Sequence, residues 1–412
     1  MKIKLQNIGI IEEADINIEG ITLIAGQNDS GKSTIGKILY CVIKGFNQSE
    51  NLFQENKNRM VAYFYQDVLK ELKKNWKDNI TEYQIKQISD DWINKIEELI
   101  SSDPIPDDIK KTILNKISYL KKYFKKEYNT VEQKQDEIES WIRSEIIKLP
   151  NIFNDQNYDF KIELEDLLGN ATIENPFKAI STEAIYIKLD NNLETYYKEA
   201  YYIESPLVID ESLQRFVGKD TSQGYTRSRQ EELAKSLSNP TASDTLDYSK
   251  VYGEISEIIN GEITIDLLEG VRYKKNGQEV NIKNTAVGIK SFGIIQLLLK
   301  NNRLNNRTLL IIDEPEVHLH PTWQIKYAEI LVKLSKDFDI PMVFNSHSPY
   351  FIEALEAYSK KYQYEKSTNF YFSKKNEDGL SSKIIDVTKD ITPILSSISE
   401  AFYKIQDIKD EN

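Results

Sequence analysis

Short apolar runs bounded by glycine or polar residues recur along this chain, and they predict the core strands of an α/β fold. The clearest runs lie at residues 21–25, 309–312 and 340–344. Runs of this kind are typical of parallel strands that are buried on both faces of a sheet. A helix-like stretch at residues 35–40 follows the first run after a glycine-bounded loop. The pattern therefore predicts a strand–loop–helix unit near the start and two more core strands in the last third.

The chain beyond residue 347 alternates between helical and strand-like patterns. An apolar helical stretch comes first, an Asp-Gly dipeptide marks the turn of a hairpin, and a last periodic stretch predicts a helix. These elements are expected at residues 351–355, at 369–372 paired with 383–387, and at 393–408.

A long segment between the first two core strands has a different pattern. Residues 55 to about 148 read as amphipathic helices rich in Lys, Glu, Ile and Tyr. We therefore expect a mainly helical insertion over residues 51–179, within a discontinuous core domain formed by residues 1–50 and 180–412. A polar stretch at residues 220–244 is expected to be a loop.

One helix of the insertion carries lysines interleaved with aromatic residues. Two interpretations stay open: a nucleic-acid contact, or a solvated helix face whose apolar stripe packs inward, which we prefer. The lysines are Lys110, Lys111, Lys116, Lys121, Lys122, Lys125 and Lys126, the aromatic residues are Tyr119, Tyr123 and Phe124, and the stripe is Ile113, Leu114, Ile117 and Leu120.

The loop after the first core strand has the sequence of a phosphate-binding loop. Residues 26–34 read GQNDSGKST and fit the pattern GxxxxGK[ST] in its strand–loop–helix context. In such a loop, backbone N–H groups and the N-terminus of the next helix surround the phosphates of a nucleoside triphosphate. Lys32 would reach the β- and γ-phosphates, and the Ser33 hydroxyl would be a ligand of Mg²⁺. The expected nucleotide-binding residues are Gly26, Gln27, Asn28, Asp29, Ser30, Gly31, Lys32, Ser33 and Thr34.

The second core strand ends in two carboxylates, Asp313 and Glu314, which is the Walker B pattern. A buried strand would deliver Asp313 beside Ser33, where it would hold the hydrated Mg²⁺. Glu314 would point to the other face of the strand end, where a carboxylate can orient and deprotonate the attacking water. Glu316 is the alternative base.

The chain has only three histidines. His347 follows the third core strand, and a histidine beside a P-loop can hydrogen-bond the γ-phosphate and help to place the water. His318 and His320 raise the question of zinc. Two imidazoles with the single cysteine, Cys41, remote in sequence make a poor ligand set, so we do not expect a zinc site.

These motifs, in this order, resemble those of ABC-type ATPases of the SMC/RecF/OLD group. The matching segments read IAGQNDSGKST at residues 24–34, LLIIDEPEVHLHPTWQ at 309–324 and VFNSHSPYF at 343–351. The DEPEVHLHP run is most similar to the ATPase domains of OLD-family proteins and of bacterial defence systems of the Septu and PARIS type. Residues 3–9 and 16–18 also resemble the first strands of these proteins.

The resemblance implies an α/β fold, an ABC/SMC-like P-loop ATPase with a mixed sheet and an inserted helical subdomain. It also implies that the nucleotide is ATP, that Asp313 holds Mg²⁺, that Glu314 is the catalytic base and that His347 is the switch histidine. OLD nucleases carry a Toprim nuclease domain after the ATPase, and residues 348–412 leave no room for one. A nuclease would therefore be another chain.

ABC-type ATPases close their site with a signature segment from a second protomer, and its best counterpart here departs from the family pattern. The candidate is residues 284–293, just upstream of the Walker B strand. Thr285 and Gly288 would contact the nucleotide, with Gly288 allowing a close approach at a helix N-terminus. Ala286 stands where the family has a serine, so Thr285 or Lys290 would have to substitute. The resemblance implies a homodimer or higher oligomer around shared ATP sites, with slow hydrolysis.

Composition narrows the partners and the compartment. The 412-residue chain has one cysteine, which excludes a disulfide framework and fits a reducing cytoplasm. No apolar stretch approaches the roughly 20 residues of a membrane helix, and no leader opens the chain, so we expect a cytoplasmic protein without membrane contact. The formal net charge of −12 argues against a chain that coats nucleic acid indiscriminately.

The expected function is that of an ATPase that hydrolyses ATP to ADP and phosphate. By resemblance, it dimerises around ATP and senses or gates a separate effector protein, a nuclease or a toxin, in bacterial anti-phage defence. Two alternatives stay open. One is a DNA-repair or DNA-end-binding ATPase of the RecF/SMC type, with nucleic acid bound by the helical insertion. The other is a nucleotide-dependent scaffold with vestigial hydrolysis.

Overall fold

Strands and helices alternate along the chain in the computed structural model. The strands are β1 (Lys2–Ile8), β2 (Ile11–Asn17), β3 (Ile21–Gly26), β4 (Lys161–Asp166), β5 (Gly169–Glu174), β6 (Tyr186–Leu189), β7 (Glu199–Ile203), β8 (Glu262–Asp266), β9 (Gly270–Lys275), β10 (Gln278–Asn281), β11 (Thr308–Asp313), β12 (Met342–Ser346), β13 (Thr368–Lys375) and β14 (Ser382–Asp386). The α-helices are α1 (Lys32–Asn75), α2 (Asp107–Phe124), α3 (Arg229–Ser238), α4 (Ser249–Ile259), α5 (Val287–Lys300), α6 (Pro321–Phe338), α7 (Pro349–Lys361) and α8 (Thr392–Asp410). The structure describes residues 1–75, 94, 97–98, 100, 106–125, 161–166, 169–174, 186–189, 196–210, 229–240, 246–266, 270–377 and 379–410.

Eleven of the described strands form one mixed sheet with a parallel centre. Its order is β6-β5-β4-β1-β2-β14-β13-β3-β12-β11-β7, and β10-β9-β8 form a second sheet. The neighbouring strands β13, β3, β12, β11 and β7 all run parallel. On the other side, β1 pairs antiparallel with both β2 and β4. The predicted α/β fold with a mixed sheet is confirmed.

The three predicted core strands lie side by side because each is apolar on both faces. All residues of β3 and β12 are buried, and β11 is buried up to Ile312. In register, Asp313 lies opposite Asn345, and Ser346 lies opposite Ala25. The carboxyl ends of parallel strands meet at one edge of the sheet. The segments that follow β3, β11 and β12 are therefore brought together there.

Helix α5 supplies much of the apolar packing of the large core. It is buried from Lys290 to Leu299 without interruption, and its side chains pack in one cluster with those of α4, α6 and the central strands. Among the described residues, no helix combines the length and the apolar character that crossing a membrane requires.

The chain forms two units, Met1–Asn47 with Ile138–Asn412, and Gln48–Glu137. The sequence places the insertion at residues 51–179, and the difference lies at its second boundary. There, β4 pairs with β1 and β5 pairs with β4 in the large sheet. The sequence KIELED of β4 alternates apolar and charged residues, a strand pattern. Residues 161–174 are therefore part of the sheet and not of a helical segment.

The smaller unit has a core of its own. Helix α2 turns Ile113, Ile117 and Leu120 inward, with Leu114 half-buried beside them. They pack on residues of α1 and on Ile100, namely Val61, Tyr65, Val68 and Ile100. The apolar stripe predicted for this helix thus packs as expected.

The loop expected at residues 220–244 is wrong over Arg229–Ser238, which is helix α3. Leu233, Ala234 and Leu237 are buried there, so a short apolar stripe stabilises a helix in a polar surrounding. The remainder of that stretch, 220–228 and 241–244, lies outside the described residues. The hairpin and the last helix are confirmed as β13 with β14, and α8.

Candidate functional site

The P-loop, residues 26–34, joins β3 to α1, and its local geometry requires two glycines. Gly31 has a φ of +88°, and a Cβ there would lie 2.6 Å from Cγ1 of Ile11. Gly26 has a φ of +154°, and a Cβ would lie 2.6 Å from the carbonyl oxygen of Ser373. A side chain at either position would push the loop away from the strands that hold it. The motif glycines therefore allow close backbone packing.

Two serine hydroxyls hold the middle of the P-loop. The Oγ atoms of Ser373 and Ser382 donate to the carbonyl oxygen of Ser30 at 2.6 and 2.8 Å. Ser30 itself donates through Oγ to the carbonyl oxygen of Gln27 at 2.8 Å. Ser373 lies in β13 and Ser382 begins β14, and both are buried. The shape of the loop thus depends on strands far downstream in the sequence.

Lys32 is the first residue of α1 and is buried. Its Nζ donates to the carbonyl oxygen of Gln27 at 2.6 Å. Burial lowers the pKa of Lys32, because the ammonium loses contact with water, whereas three nearby carboxylates act in the opposite direction. Those carboxylates belong to Glu314, Asp313 and Glu316. The positive charge of the loop therefore faces the acidic residues that follow β11.

Ser33 and Asp313 meet although they lie 280 positions apart in the sequence. The Oγ of Ser33 donates to Oδ1 of Asp313 at 3.0 Å. A hydroxyl and a carboxylate are the oxygen ligands that Mg²⁺ prefers, and in phosphate-binding sites water and phosphate oxygens complete its shell. The donor set fits Mg²⁺, and Ser33 and Asp313 are the residues that would hold it.

Asp313 accepts two further hydrogen bonds that the motifs do not predict. Nδ2 of Asn345 donates to its Oδ1, and the hydroxyl of Tyr202 donates to its Oδ2, each at 3.0 Å. Asn345 directly follows the apolar run of β12, and this polar residue at a strand end is a signal that could have been used. Tyr202 lies in β7, where the sequence offers no such signal.

Glu314 and His347 form the open side of the site. Glu314 has a left-handed backbone, with φ of +49°, and its N–H donates to the carbonyl oxygen of Asn345 at 2.8 Å. Its side chain is 43% exposed, and Oε1 lies 3.7 Å from Nδ1 of His347. Both side chains are therefore within reach of solvent and of each other, as a base and a neighbouring histidine require.

Glu316 is buried and holds the segment that carries His347. Its Oε1 accepts hydrogen bonds from Oγ of Ser346 at 2.9 Å, from N–H of His347 at 2.9 Å and from N–H of Ser348 at 3.1 Å. The same oxygen lies 3.4 Å from Nδ1 of His347. With three donors on one oxygen and no exposure, Glu316 has the contacts of a structural carboxylate, which argues against it as the alternative base.

A cavity of about 260 Å³ adjoins the P-loop and His347. The C-terminal elements β13 and α8 form its other wall. Its lining residues are Gly26, Gln27, Asn28, His347, Phe372, Ile394, Ser397 and Ile398. The cavity shows that His347 and the first half of the P-loop face one space, as their strand positions predict.

The candidate signature segment begins helix α5 and packs closely within its own chain. A Cβ on Gly288 would lie 3.0 Å from Cδ2 of Leu319 and 3.1 Å from Cε3 of Trp323. Oγ1 of Thr285 donates to the carbonyl oxygen of Ile282 at 2.7 Å. No coordinate contact with the P-loop is recorded for Thr285 or Gly288, so their nucleotide-binding role stays a prediction.

Lys290 cannot replace the missing signature serine. Its side chain is 3% exposed, and Nζ lies 2.5 Å from Oδ2 of Asp210. A buried ion pair of this kind fixes the ammonium, and moving it away would leave the carboxylate buried without its partner. Lys290 therefore ties the start of α5 to the segment after β7.

His318 and His320 have structural positions in the turn before α6. His320 is the N-cap residue of α6, and its side chain accepts from the N–H of Thr322. His318 has a left-handed backbone with φ of +66°. No group of three or more His, Cys, Asp or Glu side chains suited to a metal occurs in the part of the chain that the structure describes.

The lysine cluster of α2 is partly neutralised by neighbouring acids. Lys116 lies 3.1 Å from Asp67, and Lys121 lies 2.6 Å from Glu97. The exposed members are Lys111, Lys122 and Lys125, whereas Lys126 lies outside the described residues. The ion pairs favour the solvated-face interpretation, and nucleic-acid binding by this helix stays a prediction.

The sequence matches a family model described as an AAA ATPase domain over residues 1–352. A curated relative, the "Retron Vc95 probable ATPase" of Vibrio cholerae serotype O1 biovar El Tor, is 35% identical over 86 residues. That alignment covers 18% of this chain and only 16% of the relative.

Solved structures similar to this chain include two SMC head domains. The SMC head domain from Thermotoga maritima has 12% identity and a TM-score of 0.40, covering 94% of this chain and 98% of that one. The SMC head bound to the C-winged helix domain of ScpA has 10% identity and a TM-score of 0.45, covering 93% and 97%.

Proposed function

The chain belongs to the AAA ATPase domain family, and on this premise we propose that it binds ATP with Mg²⁺ in the P-loop site and hydrolyses it to ADP and phosphate. The contact between Ser33 and Asp313 carries the proposal, since their oxygens lie 3.0 Å apart. A Mg²⁺ site of this type needs one hydroxyl and one carboxylate beside the phosphates. The buried ammonium of Lys32 adds the positive charge that a triphosphate requires.

In the proposed reaction, a water molecule attacks the γ-phosphorus and the bond to the oxygen that bridges the β- and γ-phosphorus atoms breaks. Glu314 accepts the proton of the attacking water, and ADP leaves with the bridging oxygen. His347, whose Nδ1 lies 3.7 Å from Oε1 of Glu314, orients the water and the γ-phosphate. Mg²⁺, when bound, neutralises charge on the β- and γ-phosphate oxygens.

A dimer that closes around ATP is the second part of the proposal. Thr285 and Gly288 of one copy would contact the nucleotide held by the other copy. The start of α5 supports this arrangement, because its N-cap residue, Ala286, makes no side-chain hydrogen bond to the helix. The first N–H groups of a helix without such a cap can bind an anion.

The biological role that we propose is the gating of a partner effector, a nuclease or a toxin, in anti-phage defence. Its support is the resemblance of the DEPEVHLHP run to defence ATPases, together with the short similarity to a probable ATPase of a retron. Phage plaque counts on cells that carry the native operon, with and without Lys32→Ala, test this role. Equal protection by both would contradict it.

The biochemical test compares two variants with one control. Lys32→Ala is expected to abolish ATP binding, because it removes the cation that faces the phosphates. Glu314→Gln is expected to bind ATP, to stop hydrolysis and to accumulate a dimer with two ATP molecules. Lys37→Ala, a half-buried lysine of α1 outside the loop, is the matched control.

Equilibrium binding of a fluorescent ATP analogue, phosphate release and light scattering after gel filtration give the three readouts. Unchanged nucleotide affinity of Lys32→Ala would contradict the site. Phosphate release by Glu314→Gln at the wild-type rate would show that the base lies elsewhere. A Glu314→Gln protein that stays monomeric at saturating ATP would contradict the dimer alone.

A further inference from the structure

Tyr202 ends in a buried hydrogen bond to the metal-binding carboxylate. Its hydroxyl donates to Oδ2 of Asp313 at 3.0 Å, and the side chain is 1% exposed. Burial raises the pKa of Tyr202, and the carboxylate of Asp313 acts in the same direction. The phenol therefore stays protonated and keeps donating to Asp313.

Three donors together fix the carboxylate of Asp313. Ser33 and Asn345 donate to Oδ1, and Tyr202 donates to Oδ2. Ser33 is the residue expected to turn its oxygen to Mg²⁺, so that its hydrogen bond to Asp313 changes when the metal binds. The bonds from Asn345 and Tyr202 do not compete with the metal for the Ser33 oxygen. Tyr202 alone holds Oδ2.

Arg229 covers the ring of Tyr202 from the start of helix α3. Its Cζ lies 5.0 Å from the ring centroid, within the range of a cation–π contact. Its Nη2 lies 3.6 Å from Oε2 of Glu204, the residue that follows β7. The guanidinium is 11% exposed, so it restricts the ring from one side and shields the hydrogen bond to Asp313 from water.

Two contacts anchor helix α3 one turn after Arg229. Oε2 of Glu232 accepts from the hydroxyl of Tyr40 at 2.8 Å and lies 2.9 Å from Nζ of Lys44. Both partners belong to α1, the helix that begins with the P-loop. The ring of Tyr40 also packs edge to face against Tyr202 at 6.3 Å. Tyr202 is therefore held from α1 and α3 together.

Gly36 makes room for this arrangement. A Cβ on Gly36 would lie 3.0 Å from Cε2 of Tyr202 and 3.4 Å from Nδ2 of Asn345. The absence of a side chain at this point of α1 lets both donors reach Asp313 beside the helix. The close fit concerns the two side chains that fix Asp313.

We propose that Tyr202, braced by Arg229, is a positioning residue that orients Asp313 and thereby sets the affinity of the site for Mg²⁺. The inference rests on the proposed function, since it concerns the metal that accompanies ATP. Side chains that hydrogen-bond to a metal ligand fix its orientation, and their removal typically weakens metal binding or activity about 10- to 100-fold. A tyrosine that served only the packing of β7 would need no hydroxyl on Asp313.

The test measures nucleotide binding against free Mg²⁺ with a fluorescent ATP analogue in the Glu314→Gln background, so that hydrolysis does not enter. Tyr202→Phe keeps the ring and removes only the hydroxyl. We expect it to raise the Mg²⁺ concentration for half-maximal tight binding about tenfold, with full binding recovered at saturating Mg²⁺. Affinity in EDTA should stay unchanged.

Tyr201→Phe is the matched control. Tyr201 is the neighbouring buried tyrosine of β7 and also lies beneath a cation, with Nζ of Lys44 5.7 Å from its ring centroid. It has no contact with Asp313 among those given above, and its variant should leave the Mg²⁺ dependence unchanged. Arg229→Met, which keeps an apolar cover on Tyr202 without the charge, should shift the dependence in the same direction by a smaller factor.

Two results would overturn the inference. One is a Tyr202→Phe curve that shifts no more than that of Tyr201→Phe. The other is an equal loss of affinity with Mg²⁺ and in EDTA, which would mean that the hydroxyl supports the loop and not the metal ligand. Failure of the parent protein to bind ATP, or binding that ignores Mg²⁺, would instead contradict the proposed function, and the inference would fail with it.

Discussion

Glu316→Ala is expected to loosen the segment that carries His347 while leaving the P-loop in place. The substitution removes the Oε1 atom that accepts from Ser346, His347 and Ser348 at 2.9, 2.9 and 3.1 Å. The last two donors are backbone N–H groups directly before helix α7, where a lost acceptor frees the first turn.

The magnitude follows from how many of these donors can find water. A buried donor left without an acceptor costs about 1–3 kcal/mol. His347 is half-exposed, so its N–H can bond to water, whereas Ser346 and Ser348 are buried. Two unsatisfied donors cost about 4 kcal/mol. The other oxygen, Oε2 of Glu316, has no hydrogen-bond partner among the described residues, and its removal offsets about 1 kcal/mol.

The expected loss in local stability is therefore about 3 kcal/mol, which corresponds to roughly a hundredfold change in an opening equilibrium. Hydrogen exchange followed by mass spectrometry measures this opening directly for a peptide that covers residues 345–352. A peptide over residues 26–34 reports the P-loop in the same experiment and should not change. ATP affinity should change little, whereas the rate of hydrolysis should fall.

Glu316→Gln is the matched variant, because its amide oxygen can still accept all three bonds and only the charge is lost. Hydrogen bonds to a neutral acceptor are weaker by about 1 kcal/mol, so exchange should rise less than tenfold. The reasoning is refuted if the alanine variant exchanges no faster than the glutamine variant over residues 345–352. Equal loosening at residues 26–34 would also refute it, since the effect would then be global.

Three further predictions concern the P-loop and the helix behind it. Gly31→Ala should reduce ATP affinity at least tenfold, as measured by equilibrium binding, because its Cβ would collide with Ile11 and the backbone has a positive φ. Ser373→Ala should weaken ATP binding slightly, and the double variant with Ser382→Ala should weaken it by more than the two single effects combined, because one hydroxyl can still hold the loop carbonyl. Lys44→Met should lower the free energy of unfolding in urea by about 3 kcal/mol, because two glutamate carboxylates lose the ammonium that they share.

Each of these predictions has its own contrary result. Wild-type affinity in Gly31→Ala would mean that the loop does not need its tight turn for nucleotide. Strict additivity of the two serine variants would mean that they act on the loop independently. A Lys44→Met protein as stable as the wild type would mean that water reaches Glu199 and Glu232 and replaces the ion pair.

The central strands and the motifs at their ends were predictable because the signals are local. The strands are apolar without interruption, and Lys32, Ser33, Asp313 and Glu314 stand in short patterns with known chemistry. The contact of Ser33 with Asp313 follows from the rule that parallel strands end at one edge. What a few adjacent residues encode could therefore be read correctly.

The side chains that surround these motifs could not be predicted, because their signals are spread over distant segments. Tyr202 is one of many tyrosines, and only the pairing of β7 with β11 places it beside Asp313. Arg229 lies in a polar stretch that predicts a loop, and its helix is stabilised by contacts with α1. Strands β4 and β5 do carry an alternating pattern, which the helical character of the preceding segment obscured.

The bonds between the P-loop and the C-terminal hairpin bear on the order in which the protein is made. Ser30 leaves the ribosome early, yet the hydroxyls that hold its carbonyl follow 343 and 352 positions later. Chains fold as they emerge, N-terminal parts first, and contacts between distant residues form last. A nascent chain thus displays the phosphate-binding sequence long before it has the scaffold for it. The nucleotide pocket is completed only after residue 382 has emerged, which makes its assembly one of the final steps of synthesis.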